Sequence, residues 1–422
     1  MLNLIYDATL ICNYFHKDAA RSGIFVVAYN ILLELQKRKD VRLALYIAPE
    51  KSGEAYQIRK DLFPNARYVY NPLECFLLAS FNAWLWRTHT KLFRHVWLRK
   101  PFALGIVITE FLLKKMMKKR FDAELLKCAN VYLSPAFSIP ELIRKKSNAK
   151  TYVLLHDTIP FKFREYNDLH WGDYIRKIFE SSRKGDSFFV NSKSSLQDFE
   201  EIFPLVNEHT TNVTYLAASD SFGSRHEILT RKRMADKYKI PEDRKYVFSL
   251  CTLEPRKNLV RAVRCFMSFI TKNGVNDLVW VMGGGHWESF INELKKNGVA
   301  WDPKYIIQAG YIDDEDLPIL YSNAEWFVYT SQYEGFGLPP LEAMQCGCPV
   351  ITSNNSSLPE VVGDAGIMID WDSDEQHIEA YEKYYFNEEL RKENSHKGLE
   401  RAKLFSWEKT VDNMIKVMKF RF

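Results

Sequence analysis

The sequence predicts an α/β protein built from two doubly wound, Rossmann-like parallel-sheet domains that face a central cleft. Three observations carry this prediction. Short β-branched runs alternate with amphipathic helical stretches, most runs in the second half close on glycine or turn residues, and one polar stretch splits the series in two. At 422 residues the chain has material for two or three average domains.

Taken in order, the first series of strands is LNLIYD at 2–7, VRLALYIA at 41–48, TYVLLHD at 151–157, DSFFVNS at 186–192 and NVTYLA at 212–217. Helical periodicity separates some of them, as in Val26 to Lys37 and Ser194 to Ile202. The polar stretch from Ala218 to Lys245 follows and marks the domain boundary. The second series is KYVFSLC at 245–251, DLVWVMGGG at 277–285, KYIIQAG at 304–310, AEWFVYTS at 324–331, CPVITSN at 348–354 and AGIMID at 365–370. Val411, Met414, Ile415 and Met418 then recur at helical spacing in a C-terminal helix from Trp407 to Met418. The expected partition is a first domain over 1–220, a second over 221–400, and a terminal helix over 401–422 that packs back on the first domain.

Composition narrows the classes. Hydrophobic residues at 46% and charged residues at 26% exclude wholesale disorder and collagen-like repetition. Seven cysteines with no CxxC pair suggest neither a zinc ribbon nor a disulfide framework, and a reducing compartment fits them best. The opening MLNLIYDATLICNYF has no basic n-region and reads as a first strand, not a signal peptide. The longest apolar run, Ala103 to Leu113, falls short of the roughly 20 residues that cross a bilayer. The formal net charge is only +5, yet the stretch from Trp86 to Arg120 holds ten bases against one acid, Glu110. The basic character is therefore one patch.

The chemistry gathers in YTSQYEGFGLPPLEAMQCGCPVITSNNSSLPE at 329–360. A strand runs into a turn with Glu334, then Gly335-Phe336-Gly337, then Leu338 and a Pro339-Pro340 helix start, with Glu342 inside the helix. Prolines suit a first helical turn, and glycines let backbone N–H groups approach an anion at the positive end of the helix dipole. The spot suits a phosphate or diphosphate, while the two carboxylates, eight positions apart, suit sugar and ribose hydroxyls. Adjacent Arg256 and Lys257, just after a strand, can neutralise a diphosphate, the first as a planar fork and the second as a point charge. His156-Asp157-Thr158-Ile159-Pro160 closes a strand of the first domain, where a histidine points into the crevice and can hydrogen-bond substrate or carry a proton. Ser22-Gly23-Ile24 opens a helix and offers another glycine for anion approach.

These residues, in this order, resemble the retaining glycosyltransferases of family 4, which have the GT-B fold. The likeness is close over about residues 246–370, where Glu334 and Glu342 match the E-x7-E motif within EGFGLPPLEAM. In the first half it is weaker: Asp7, Ser22-Gly23-Ile24, HDTIP at 156–160 and VNSKSSLQDF at 190–199. The chain departs from many members at Phe25, where they carry a second glycine. The resemblance implies that Glu334 contacts the transferred sugar and Glu342 the ribose. It implies that Arg256, Lys257 and the backbone from Gly335 through Phe336, Gly337 and Leu338 hold the diphosphate. His156 would sit beside the reacting sugar, Gly23 near the diphosphate, and Asp157 and Ser22 on the acceptor side. The implied reaction moves a hexose from a nucleotide diphosphate sugar to a glycan or lipid-linked oligosaccharide, with retention and without a protein nucleophile. GDP-mannose is the leading donor, and surface polysaccharide or lipopolysaccharide synthesis the setting. A non-catalytic nucleotide-sugar-binding subunit and a nucleotide-sugar epimerase are the alternatives.

No resident cofactor and no metal are expected. Asp313-Asp314-Glu315-Asp316 reads as a helix start, with Asp313 or Asp314 as the cap, and Gly283-Gly284-Gly285 as a strand-end turn. In the segment 86–120 the bases alternate with Trp86, Phe93, Trp97 and Phe111, which favours an anionic membrane surface over nucleic acid. The protein is expected in the cytoplasm, with peripheral docking on the inner face of the membrane as the hypothesis for that segment.

Overall fold

The computed structural model describes residues 1–15, 23–71, 76–92, 96–117, 120–163, 172–225 and 228–420. Two all-parallel sheets organise them. The first contains β1 (Leu2–Asp7), β2 (Val41–Tyr46), β3 (Arg67–Tyr68), β4 (Val131–Ser134), β5 (Lys150–Leu155), β6 (Ser187–Val190) and β7 (Thr211–Val213), in the order β3-β2-β1-β4-β5-β6-β7. The second contains β8 (Lys245–Leu250), β9 (Leu278–Gly283), β10 (Ile306–Gly310), β11 (Trp326–Tyr329), β12 (Val350–Ser353) and β13 (Gly366–Ile369), in the order β10-β9-β8-β11-β12-β13. Each sheet reverses its winding once, between β1 and β4 and between β8 and β11. In such sheets ligands bind at that reversal, outside the carboxyl ends of the strands.

The central strands β4, β6, β9, β11 and β12 are buried along their whole length, which is why they read as continuous apolar runs. Register sets the key residues side by side: Leu4 pairs with Leu43 and Val131, and Phe327 pairs with Phe248 and Val350. β3 and β4 were not expected from the sequence. Two and four residues long, they carry too little alternation to stand out.

The C-terminal helix Trp407–Phe420 lies against the helix Gly23–Lys37 of the first sheet and buries Val411, Met414, Ile415 and Met418. Thr410 Oγ1 donates to the Tyr215 carbonyl at 2.7 Å, and Lys419 pairs with Asp40 at 2.6 Å. Phe25 is buried and stacks on Tyr29, so the side chain that replaces a glycine here faces the core.

The acidic run needs a correction. The cap of the helix Leu317–Ser322 is Asp316, not Asp313 or Asp314, and its side chain does not cap. Asp316 is instead fully buried, where it pairs with Lys237 and Arg233 and accepts from Tyr238 Oη at 2.7 Å. Charge pairing across helices outweighs a local capping bond here. Among the described residues no group of three or more candidate ligands could hold a metal ion, and no helix is long and apolar enough to cross a membrane.

Candidate active site

The loops after β8 and β11 meet at the reversal of the second sheet. β8 leads through 251–254 into a short 3₁₀ turn, Pro255–Lys257, which Asn258 ends in the left-handed region. The Asn258 amide holds this turn by donating to the carbonyls of Thr330 and Trp371. β11 leads into Glu334, and the two loops join through ion pairs. Lys257 Nζ donates to Glu334 Oε1 at 2.6 Å and to Tyr329 Oη at 2.8 Å. Arg256 pairs with the same Glu334 oxygen at 3.2 Å, bonds Glu254, and donates to the Tyr333 carbonyl. Burial alone would raise the Glu334 carboxyl, but Lys257 and Arg256 outweigh it and hold the carboxyl down at about 2.

The turn after Glu334 is shaped by glycine. Gly337 has φ 117°, a backbone conformation that strains any side chain, and a Cβ built on it would also lie 2.8 Å from Leu358 Cδ2. It precedes the helix Leu338–Gln345, whose first turn holds Pro339 and Pro340. Serines brace the turn: Ser356 Oγ accepts from the Glu334 amide, and Ser357 Oγ donates to the carbonyls of Glu334 and Phe336. The Phe336 side chain turns away from the polar cluster and is buried beside Tyr215 and Phe405.

The first sheet contributes from across the cleft. A Cβ added to Gly335 would lie 2.7 Å from Asp157 Cβ and 3.0 Å from the His156 carbonyl oxygen. Ser192 and Ser195, after β6, both donate to the Gly335 carbonyl, at 2.8 and 3.1 Å. His156 is buried, which pushes its pKa down to about 4, and its Nε2 sits 2.7 Å from the Pro135 carbonyl oxygen. A carbonyl only accepts, so Nε2 carries the hydrogen, and Nδ1 of the neutral ring is an acceptor. Burial raises the Asp157 carboxyl against the pull of Arg256, and its Oδ1 accepts from the Ile159 amide.

The structure thus brings Arg256, Lys257, Glu334, Gly335, His156 and Asp157 together. Glu342 stands apart: half-buried, it accepts from Tyr321 Oη at 3.1 Å, and burial raises it to about 7. Gly23 is exposed at its helix start, with no described atom within 4 Å of a built Cβ. Ser22 lies outside the described residues. Asp7 caps its own loop, accepting from the Thr9 amide at 3.0 Å and from Tyr132 Oη at 2.7 Å. The Gly283–Gly285 run continues β9 beside the basic loop, with Cys251 and Leu253 amides donating to the Gly283 and Gly285 carbonyls. Sequence reasoning missed Tyr329, Ser192 and Ser195, and only the VNSKSS run hinted at the two serines.

The chain is similar to known proteins. The family model for glycosyl transferases group 1 matches residues 230–401. The O-antigen chain mannosyltransferase B of Escherichia coli is 32% identical over 297 residues, covering 68% of this chain and 74% of that protein. The chain belongs to the glycosyl transferases group 1 family. A second relative, the serotype-specific mannosyltransferase WbdA of Escherichia coli, is 29% identical over 268 residues, or 62% of this chain, and that match spans 32% of WbdA. Among solved structures, the sucrose-phosphate synthase of Thermosynechococcus elongatus superposes with a TM-score of 0.65 at 15% identity, over 99% of this chain and 98% of its own. At that identity it speaks for the fold alone, the GT-B pairing of two Rossmann-like domains.

Proposed function

We propose that this glycosyltransferase moves a hexose, with mannose first, from a nucleotide diphosphate sugar, with GDP-mannose first, to a glycan or lipid-linked glycan acceptor, retaining the anomeric configuration. The observation that carries the reading is the shared grip of Arg256 and Lys257 on Glu334 at the strand reversal, faced by His156 and Asp157. The relatives named as mannosyltransferases support the choice of sugar.

In this reading 1–220 receives the acceptor, 221–400 holds the donor, and 401–422 ties the two. The Arg256 and Lys257 cations stabilise the charge that builds on the departing diphosphate, with the amides at Gly337 and Leu338 beside them. Glu334, ionised at every physiological pH, accepts from the sugar's hydroxyls, and Glu342 from the ribose. His156 is neutral at pH 7 and serves as an acceptor through Nδ1, not as a proton carrier. The departing phosphate oxygen takes the acceptor's proton on the face where the new bond forms, so no protein nucleophile is required. No metal or resident cofactor enters this scheme. The protein would work in the cytoplasm, at the membrane face that presents lipid-linked acceptors.

A thermal-shift screen against GDP-mannose, UDP-glucose, UDP-N-acetylglucosamine and dTDP-rhamnose tests the donor. A ligand at about 100 times its Kd stabilises by about 2.7 kcal/mol. GDP-mannose should raise the Tm most, and NMR of the transferred product should show the α-anomer. Stabilisation by another nucleotide alone overturns the donor, and an inverted product overturns the mechanism.

A further inference from the structure

The basic segment folds as part of a helical hairpin, Phe76–Lys91 and Val96–Met117, mounted on the first sheet's helix Ser52–Asp61. Its inner face is complete. Ala79 and Leu85 are buried with Ile106 and Leu113, and Thr109 Oγ1 donates to Asn82 Oδ1 at 2.6 Å between the helices. The outer face is apolar as well. Leu77, Phe81 and Trp84 recur at i, i+4, i+7 on the first helix and are 82%, 50% and 50% exposed. On the second helix Leu104, Ile108 and Phe111 form a matching stripe, 63%, 50% and 63% exposed, about 10 Å long at 1.5 Å per residue. Trp84 bridges the helices through Phe102, with ring centroids 5.9 Å apart.

Exposed apolar rows of this kind on both helices mark an interaction surface. Charge chooses the occupant. Arg87 and Lys91 end the first helix, Lys100 opens the second and Lys114 and Lys115 end it, all exposed. The one acid of the segment, Glu110, accepts from Trp86 Nε1 at 3.1 Å, and Glu50 outside it pairs with Lys114 at 3.6 Å. Trp97, 83% exposed with Lys100 Nζ 4.5 Å from its ring, has the apolar body and wet edge of an interfacial residue.

We propose that this hairpin is a monotopic anchor that seats its outer apolar face at the acyl boundary of an anionic lipid surface, with the flanking bases on the headgroups. It deepens the reading of a lipid-linked acceptor, but its geometry does not depend on which sugar is moved. Apolar insertion and charge act together, so binding falls with salt without vanishing.

Flotation with phosphatidylcholine–phosphatidylglycerol vesicles, against pure phosphatidylcholine, tests it on the full chain. Wild type should float with the mixed vesicles. The Leu104→Ser/Ile108→Ser/Phe111→Ser variant should bind at least about tenfold less, with its nucleotide-sugar thermal shift unchanged. If that variant misfolds, the conservative Trp84→Phe/Trp97→Phe variant replaces it: brominated acyl chains should quench wild-type indole emission and quench this variant markedly less. A wild type that fails to float overturns the anchor and leaves the transferase reading intact. Flotation with neither a nucleotide-sugar thermal shift nor sugar transfer to any soluble or vesicle-borne acceptor overturns the transferase reading and leaves the anchor. Light scattering that shows a wild-type dimer broken by the triple serine variant, with lipid binding unchanged, gives the face to a second copy of the chain and overturns the proposal.

Discussion

Lys257 Nζ lies 2.6 Å from Glu334 Oε1, although 77 residues separate them in the chain. Their strands β8 and β11 are neighbours only because the second sheet reverses its winding between them, so the ion pair is a product of topology. Both side chains are about nine-tenths buried, and the pair persists because Arg256 and Tyr329 complete the hydrogen bonding.

Breaking this pair should cost both stability and rate. Glu334→Gln leaves two buried cations facing a neutral amide, and the expected loss is about 3 kcal/mol, read by urea unfolding at pH 7. In the proposed reading Lys257→Ala removes one of two cations at the leaving diphosphate and should lower kcat by about 10²–10³. The pH sign follows from the depressed carboxyl, about 2 in the fold against an ordinary 4.5. Its contribution is complete above about pH 5 and is lost as pH falls toward 2. The acid limb of a Tm–pH profile should therefore be shallower in Glu334→Gln. An unchanged limb would mean that the pair does not form in solution.

Glu342 should show the opposite slope. Burial raises it to about 7 from an ordinary 4.5, so between those values the folded protein holds a proton that the unfolded chain has released. Stability from this group is present below about pH 4.5 and falls as pH rises through 7. Glu342→Gln mimics the protonated form and keeps a partner for Tyr321 Oη. The variant should gain Tm over wild type at pH 8 and little at pH 5. In the proposed reading it also weakens nucleotide-sugar binding, because an amide is a poorer acceptor for ribose hydroxyls. Equal Tm differences at both pH values would refute the raised carboxyl.

Much of this site could be read from the chain because its signals are local. Glu334, the two glycines and Pro339-Pro340 declare a strand, a turn and a helix start within a dozen residues, and Arg256-Lys257 follow directly on β8. The bonds across the cleft could not be read. Ser192 and Ser195 reach Gly335 over 143 and 140 residues of chain, and no local pattern encodes which turn will face them. The outer face of the hairpin was half legible. Its bases stand out in composition, but Leu77, Phe81 and Trp84 precede the basic segment, and helical spacing alone does not say which face of the helix is exposed.

Glu360 should act as a clasp between the sheets. It sits in the helix Leu358–Val362 of the second sheet, and its two oxygens accept from the amides of Lys193 and Ser194, each at 2.9 Å. Those amides open the helix Lys193–Ile202 of the first sheet, so a carboxylate meets the positive end of a helix dipole. Tyr215 Oη adds a third bond at 3.1 Å. Glu360→Ala should cost about 1–2 kcal/mol and raise the radius of gyration measured by small-angle scattering without ligand. An unchanged scattering curve would show that the apolar contact of Phe336 with Tyr215 and Phe405 holds the sheets without the clasp.

Gly335→Ala probes the same approach from the cleft itself. The new Cβ would stand 2.7 Å from Asp157 Cβ, closer than two carbon atoms tolerate, and a tight 3.0 Å from the His156 carbonyl oxygen. Both neighbours belong to the first sheet, and Gly335 to the second. The clash is therefore relieved most cheaply by parting the sheets, which moves His156 and Asp157 away from Arg256, Lys257 and Glu334. One apolar cluster runs through both sheets, so a small parting should lower the Tm by a few degrees, while a misplacement of about 1 Å costs roughly 10²-fold in rate. In the proposed reading the donor binds the second sheet, so its thermal shift should survive. The discriminating result is the split: kcat/KM for transfer lost with nucleotide stabilisation kept. If both vanish together, the substitution has collapsed the glycine turn itself, and the turn and not the cleft is the tight point.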